Sequence, residues 1–207
     1  EVAISSHGES ACSEGYYWEA LNVATLEKLP VISVIQNNKY GISVPLIDQT
    51  ANQVVSDNYR GMKDLLIVNC DGRDPFDSYR AMQQAIDYAK SGKGPALVHA
   101  DCDRVSSHSN SDRHELYRSP EELAAVRRRD PLMQFRYFIL SSGIMTNEQI
   151  EKIEEENKAL IFEAADKAEA APKANGASFN EFIIPEPFAK ISDNTEKPLD
   201  ANAPQLS

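Results

Sequence analysis

The chain has 207 residues, 42% of them hydrophobic, and a formal net charge of −11. That length and apolar content suit one ordinary domain with a tail and exclude wholesale disorder. The acidity excludes a nucleic-acid surface, which needs a basic stripe, and the longest apolar runs are too short to span a bilayer. No charged-then-apolar start resembles a signal peptide. The chain does not begin with Met and opens inside what reads as a strand, so it reads as a fragment or a processed piece. Cys12, Cys70 and Cys102 show no paired or metal-type spacing, which favours a reducing compartment, with Cys12 as a small packing residue.

In chain order, Val2-Ala3-Ile4 begins a buried parallel strand over residues 2–6. A tight turn, Gly8-Glu9-Ser10-Ala11, follows. Ser13 is placed to cap a helix to about Lys28, with Tyr17, Leu21 and Ala24 recurring at helical spacing on the sheet side and Trp18 as packing. Pro30 precedes a second buried strand, Val31 to Ile35, which leads into Gln36-Asn37-Asn38-Lys39-Tyr40-Gly41-Ile42-Ser43. Turns that follow parallel strands share the carboxyl edge of the sheet, where such sheets bind ligands. The first turn supplies a carboxylate, Glu9, beside a helix start, and the second supplies the carboxamides of Asn37 and Asn38. Magnesium takes oxygen ligands of this kind together with phosphate oxygens, and a helix amino end favours the phosphate. The two turns together therefore suit a metal-bound diphosphate.

Gly41 to Gln53 reads as loop, extended before Pro45. Tyr59 to Lys63 reads as a connector and Leu65 to Val68 as a third strand. Asp71-Gly72-Arg73-Asp74-Pro75 is a turn into a helix that runs to about Lys90, with Tyr79, Met82, Ile86 and Ala89 as its apolar stripe. Gly92-Lys93-Gly94-Pro95 breaks it before a fourth strand, Ala96 to Ala100, in which His99 reads as a satisfied structural histidine. Strands alternating with helices predict an α/β fold with a mostly parallel sheet flanked by helices. A long polar loop, Arg104 to Ser119, then leaves the same edge and is placed to close over the site. Ser119-Pro120-Glu121-Glu122 is a capping box. Asp130-Pro131 starts a further helix with Met133 to Leu140 on its apolar side, and Gly143 ends it. The basic run Arg127-Arg128-Arg129 reads as a solvated face or a partner contact. From Thr146 a long helix is expected to about Ala170, with Ile150, Ile153, Leu160, Ile161 and Ala164 facing inward and the acidic run Glu151 to Glu156 on a solvated face. The resulting division is a domain over 1–184 and a linker or tail over 185–207.

These motifs carry a family resemblance. Thiamine diphosphate enzymes have Gly-Asp-Gly and, one helix and one strand later, Asn-Asn; Gly8-Glu9-Ser10 and Asn37-Asn38 fill those places. Ser13-Glu14-Gly15, Glu19-Ala20-Leu21-Asn22, Leu29-Pro30-Val31 and Asn37 to Ser43 resemble the alpha subunit of the decarboxylating component of 2-oxoacid dehydrogenase complexes. The Asp71-Gly72 turn and the Gly94-Pro95 strand entry extend the likeness, and so does the order His108, Ser109, Ser111, Asp112, Tyr117, Arg118 in the loop. The match covers nearly residues 2–184, about the second half of such a subunit. Glu9 stands where Asp is commoner and leans towards branched-chain members, while Ser10 replaces the second glycine.

The resemblance implies a thiamine-diphosphate-binding fold with a carboxyl-terminal helical portion, and thiamine diphosphate and magnesium as cofactors. It gives Glu9, Asn38 and the Tyr40 carbonyl to the metal, with Glu9, Ser10, Ala11, Gln36, Asn38, Tyr40, Ile42, Arg104 and His108 around the cofactor. It makes His108 the catalytic residue, an acid or hydrogen-bond donor beside the reacting carbon, with Asp112, Tyr117 and Arg118 ordering its loop. Gln36 sits where branched-chain members have Arg, and His114 falls outside the pattern and reads as surface. Serines at the Ser109 and Ser119 positions are phosphorylated in some members. The implied chemistry is decarboxylation of a 2-oxoacid and reductive acylation of a lipoyl group on a partner acyltransferase. The partners implied are a beta subunit or fused beta domain, without which the chain is inactive, and an alpha2beta2-type assembly in the cytoplasm or mitochondrial matrix. An acetoin dehydrogenase alpha subunit and a catalytically silent assembly module of the same fold remain as alternatives.

Overall fold

The structure, a computed structural model, describes residues 1–173 and 175–179. It divides into two units, residues 1–147 and 148–207. The first unit is built on a four-stranded parallel sheet of β1 (Ala3–Gly8), β2 (Val31–Asn37), β5 (Leu66–Asp71) and β6 (Ala96–Asp101), in the spatial order β1-β2-β6-β5. The expected α/β architecture is present. Helix α1 (Gly15–Leu26) connects β1 to β2, and α2 (Pro75–Lys90) connects β5 to β6. A two-stranded antiparallel ribbon, β3 (Tyr40–Gly41) with β4 (Val44–Pro45), and a short 3-10 turn at Leu46–Asp48 lie in the stretch read as loop, and a second 3-10 turn, Val55–Tyr59, follows it.

Strand periodicity sorts the core into two layers. Ile32, Ala96, Val98 and Ala100 face α2, which meets them with Ala81, Ala85 and Ala89 at helical spacing. Ile35 and Leu97 face the other way, towards Cys12, Leu21, Leu46, Val55 and Tyr59. Alanines on α2 let it lie close to the sheet, so the stripe differs from the expected one: Tyr79 is exposed, and Met82 and Ile86 flank the contact. Asp74 caps α2 by accepting from the Phe76 N–H at 2.8 Å, with Pro75 at its first position.

Other boundaries moved for physical reasons. β1 is parallel to β2 as expected, but residues 3–6 are exposed because it is the edge strand. Glu9–Ser13 forms a 3-10 turn, so α1 starts at Gly15 and Ser13 is not its cap. Tyr59, read as a connector residue, is 1% exposed and donates to the Cys12 carbonyl at 2.7 Å beneath Trp18, whose ring packs 4.5 Å away. Helix α3 (Pro120–Arg128) is capped by Ser119, which accepts from the Glu122 N–H at 3.1 Å. Helix α4 (Pro131–Ser141) is capped by Asp130, and Gly143, with φ +65°, follows its end. Neither α4 nor α5 (Asn147–Ala170) buries a residue, so the inward face expected for Ile153, Leu160 and Ile161 is exposed. The proposed linker over 185–207 lies outside the described residues, as does most of Phe179 to Ile184.

Candidate functional site

β1 and β2 are neighbours in register from Ala3↔Val31 to Gly8↔Gln36, so both strands end together. The turn after β1 delivers Glu9 and the turn after β2 delivers Asn38. The Asn38 N–H donates to Glu9 Oε2 at 3.2 Å and closes one turn on the other. Lys39, at φ +72°, turns the chain back, and two carboxamide caps hold that turn: Lys39 N–H donates to Asn37 Oδ1 and Tyr40 N–H to Asn38 Oδ1, each at 3.2 Å.

A second layer fixes Asn37. It is fully buried, and its Nδ2 lies 3.0 Å from His99 Nε2. Because Asn37 Oδ1 already accepts from Lys39, Nδ2 is the donor and His99 Nε2 carries no proton. His99 Nδ1 then donates to Ser56 Oγ at 3.2 Å, and Ser56 donates to Asn69 Oδ1 at 3.0 Å. Burial first, and the Lys39 charge second, hold the His99 pKa below its ordinary value and keep the ring neutral. His99 is thus the satisfied structural histidine its strand position suggested.

The turns open on a cavity of about 370 Å³ lined by Gly8, Glu9, Ser10, Asn38, Tyr40, Gly41, Ile42, Val44, Gln49 and His108. Of the expected cofactor residues, Glu9, Ser10, Asn38, Tyr40, Ile42 and His108 meet here. Ala11, Gln36 and Arg104 do not line the cavity. Gln36 is an exposed residue of β2, beside Gly8 in the register. Ile42 has φ +58°, a strained conformation for a β-branched residue. Arg104 holds it there, Nη1 donating to the Ile42 carbonyl at 2.8 Å.

Arg104 also organises the loop. Its Nη2 donates to the Tyr117 hydroxyl at 2.6 Å, and that hydroxyl donates to Asp112 Oδ2 at 2.7 Å. The same carboxylate oxygen accepts the His108 N–H at 2.7 Å. That backbone bond leads the causes, ahead of Tyr117 and Arg104, that hold the Asp112 carboxyl below its usual range. Arg118 donates from Nη1 to the Arg104 carbonyl and from Nε to Glu122 Oε1, both at 2.8 Å, and its guanidinium lies 5.3 Å over the Tyr40 ring. Glu122 Oε2 accepts from the Tyr40 hydroxyl at 3.1 Å. So the Glu122 side chain does not return to the capping box: it ties the turn after β2 to the loop. His114 is 4% exposed, not surface, and its Nδ1 has no partner among the described residues. Arg129 of the basic run donates to both carboxylate oxygens of Asp103, which leaves it paired rather than free.

The donor set suits a hard cation. Glu9 is 2% exposed, and among the described residues its carboxylate accepts from the Asn38 N–H, with the Ser10 hydroxyl 3.3 Å from Oε1. No cluster of three His, Cys, Asp or Glu exists among the described residues. One buried carboxylate with amide and carbonyl oxygens is what magnesium needs when phosphate supplies further ligands. Glu9, Asn38 and the Tyr40 carbonyl therefore fit a magnesium diphosphate. A larger cavity, lined by Asp71, Arg73, Asp74, Arg129 and Gln134, is occupied by internal ion pairs: Arg73 with Asp71, Asp101 and Asp103, and Arg129 with Asp103.

A family model described as "Dehydrogenase E1 component" matches residues 1–176. The chain belongs to this family. It is 34% identical over 182 residues to 2-oxoisovalerate dehydrogenase subunit alpha of Bacillus subtilis (strain 168), covering 88% of this chain and 55% of that protein. It is 36% identical over 172 residues to the mitochondrial pyruvate dehydrogenase E1 component subunit alpha of Dictyostelium discoideum, covering 83% and 45%. The corresponding pyruvate dehydrogenase subunit of Bacillus subtilis (strain 168) is 34% identical over 173 residues, covering 83% and 46%. The chain spans about half the length of these E1 relatives.

Gln49, Gly41 and Val44 of the cavity wall were not legible, because they come from the stretch read as loop. Glu122 was visible only as a capping residue, since nothing in a local pattern shows a contact to Tyr40, 82 positions away.

Proposed function

We propose that this chain is the alpha part of the thiamine-diphosphate- and magnesium-dependent component that oxidatively decarboxylates a 2-oxoacid and reductively acylates a lipoyl group. The observation that carries the reading is Glu9, a buried carboxylate with no cationic partner among the described residues, closed onto Asn38 in a cavity that also holds His108. The family match and the relatives named for 2-oxoisovalerate and pyruvate dehydrogenases support it. They do not favour the acetoin reading.

Thiamine diphosphate, when bound, supplies the carbanion chemistry. This chain binds and orients. Glu9, Asn38 and the Tyr40 carbonyl would hold magnesium, and Ser10 and Ala11 would lie by the diphosphate. Gln36 is exposed on β2 and does not line the cavity. The strained Ile42 walls the cavity. Arg104, Asp112, Tyr117 and Arg118 fix the loop so that the His108 ring is held at the mouth, where it donates a hydrogen bond or a proton to the reacting substrate. A beta subunit or fused beta domain completes the site, and a lipoyl-bearing acyltransferase accepts the acyl group in an alpha2beta2-type assembly. The free thiols at Cys12, Cys70 and Cys102 suit a reducing compartment, the cytoplasm or mitochondrial matrix. No helix among the described residues is long and apolar enough to cross a membrane.

Calorimetric titration of thiamine diphosphate into the full-length protein with its beta partner, with and without magnesium, tests this. Magnesium-dependent binding that Glu9→Ala and Asn38→Ala both lose is the expected result. Well-folded wild type that binds no cofactor overturns the reading and leaves an assembly module.

A further inference from the structure

Ser10 stands where the family pattern has glycine, and the cavity wall is built around its hydroxyl. Ser10 Oγ donates to Gln49 Oε1 at 2.5 Å and lies 3.3 Å from Glu9 Oε1. Gln49, half-buried, is anchored in turn: its Nε2 donates to the Val44 carbonyl at 2.6 Å. On the other side stands Gly41. A Cβ there would collide with Ser10 Oγ and come within 2.9 Å of Gln49 Oε1. Gly41 does not have positive φ, so what it contributes is the absent side chain rather than a glycine-only backbone. The three residues come from three separate segments, the turn after β1, the β3 strand and the Leu46–Asp48 turn's end, and all three line the cavity with Glu9.

We propose that Ser10, Gly41 and Gln49 form one interlocked unit that sets the Glu9 carboxylate for its metal, with Gln49 a positioning residue that acts through the Ser10 hydroxyl. The inference rests on the metal–diphosphate reading above. The physical reason is the single proton of the Ser10 hydroxyl. Both acceptors in its reach, Gln49 Oε1 and Glu9 Oε1, are on the protein, and Gln49 is itself held by Val44. With Gln49 in place the hydroxyl has a fixed direction and stays beside Glu9 without taking up its lone pairs. Without Gln49 the proton turns to Glu9 and competes with the cation for that oxygen. A side chain at position 41 displaces the hydroxyl and has the same consequence.

The test is a double-mutant cycle on magnesium-dependent thiamine diphosphate affinity, in the full-length protein with its beta partner. Loss of one hydrogen bond corresponds to about a fivefold change. Gln49→Ala is expected to weaken binding about fivefold in wild type and less than twofold in Ser10→Ala, because its effect passes through the hydroxyl. Gly41→Ala is expected to weaken binding about tenfold in wild type and less than threefold in Ser10→Ala, where the nearest colliding atom is gone and only the flexible end of Gln49 has to give. Raising magnesium restores affinity in each variant, since the change lies in the metal site. Effects that multiply in the double variants overturn the inference while the cofactor site stands. The melting temperature of the cofactor-free protein reads the interlock independently: Gly41→Ala lowers it in wild type and lowers it much less in Ser10→Ala, where only the Gln49 carboxamide remains close. Equal losses in both backgrounds overturn the inference. Wild type that binds no magnesium diphosphate overturns both the inference and the reading beneath it.

Discussion

Replacing His99 by Leu removes two hydrogen bonds from the layer beneath the Asn37-Asn38 turn while keeping an apolar side chain of moderate size. Asn37 Nδ2 is left in a fully buried place without an acceptor. A buried polar group stranded this way costs about 1–3 kcal/mol. Ser56 keeps its bond to Asn69 and loses only the Nδ1 contact, a further ~0.5–1 kcal/mol. The expected loss is about 1.5–4 kcal/mol, a fall in melting temperature of roughly 3–16 °C for a chain of this size. The dependence on pH gives a second reading. His99 is held neutral when folded, its pKa below the ordinary value, whereas the unfolded chain takes up a proton as pH falls through about 6.5. The contribution to stability is therefore complete above that pH and is lost progressively below it. His7 is shifted in the same direction by burial, so the slope is shared. In His99→Leu, melting measured from pH 8 to 5 shows a smaller acid-side decline than wild type. A melting temperature unchanged by the substitution, with an unaltered acid-side decline, refutes the account of His99 as a neutral buried bridge.

Tyr117→Phe removes the hydroxyl shared by Arg104 and Asp112, so tryptic cleavage at the exposed Arg113 is expected about five- to tenfold faster, followed by mass spectrometry of the native protein; an unchanged rate refutes the loop anchor. Burial pushes the Cys12 thiol up to about 12 and that of Cys102 up to about 11. Iodoacetamide at pH 8 is accordingly expected to leave both unmodified in the native protein, and alkylation of Cys12 at the rate of a free thiol would refute its reading as a buried packing residue. Gly94 has φ +145°, and a Cβ there would strike the Asp64 carbonyl. Gly94→Ala is expected to cost about 3 kcal/mol, seen as a melting temperature lowered by roughly 6–12 °C, while an equally stable variant would mean the β5–β6 connection yields easily.

The chemistry-bearing turns were legible because they are local. Gly8-Glu9-Ser10 and Asn37-Asn38 sit at strand ends, and strand periodicity with the intervening helix is enough to bring strand ends to one edge. The helix cap at Ser119 was legible for the same reason, since a cap reaches only two or three residues along the chain, and Pro75 and Pro131 marked the helix starts that Asp74 and Asp130 cap. The order of His108, Asp112, Tyr117 and Arg118 pointed to the loop through the family resemblance, and the bonds that tie His108 and Tyr117 to Asp112 span few residues.

Contacts between distant segments were decided by the tertiary structure alone. Which strand lies at the edge follows from the spatial order β1-β2-β6-β5, and it exposes a strand whose composition reads as buried. Tyr59 becomes core only because the turn that carries it folds over Cys12 and Trp18. The neutral tautomer of His99 depends on Asn37, 62 positions away, and the pairing of Glu122 with Tyr40 spans 82. Gly41 needs no side chain because Ser10 and Gln49 arrive from elsewhere to fill the space. The sequence by itself determined the kinds of element and the residues at their ends, because backbone sterics, periodicity and capping act over a few residues. The partners of buried polar groups were left to the folded chain, because a hydrogen bond or a collision between distant residues exists only once the sheet has set their distance.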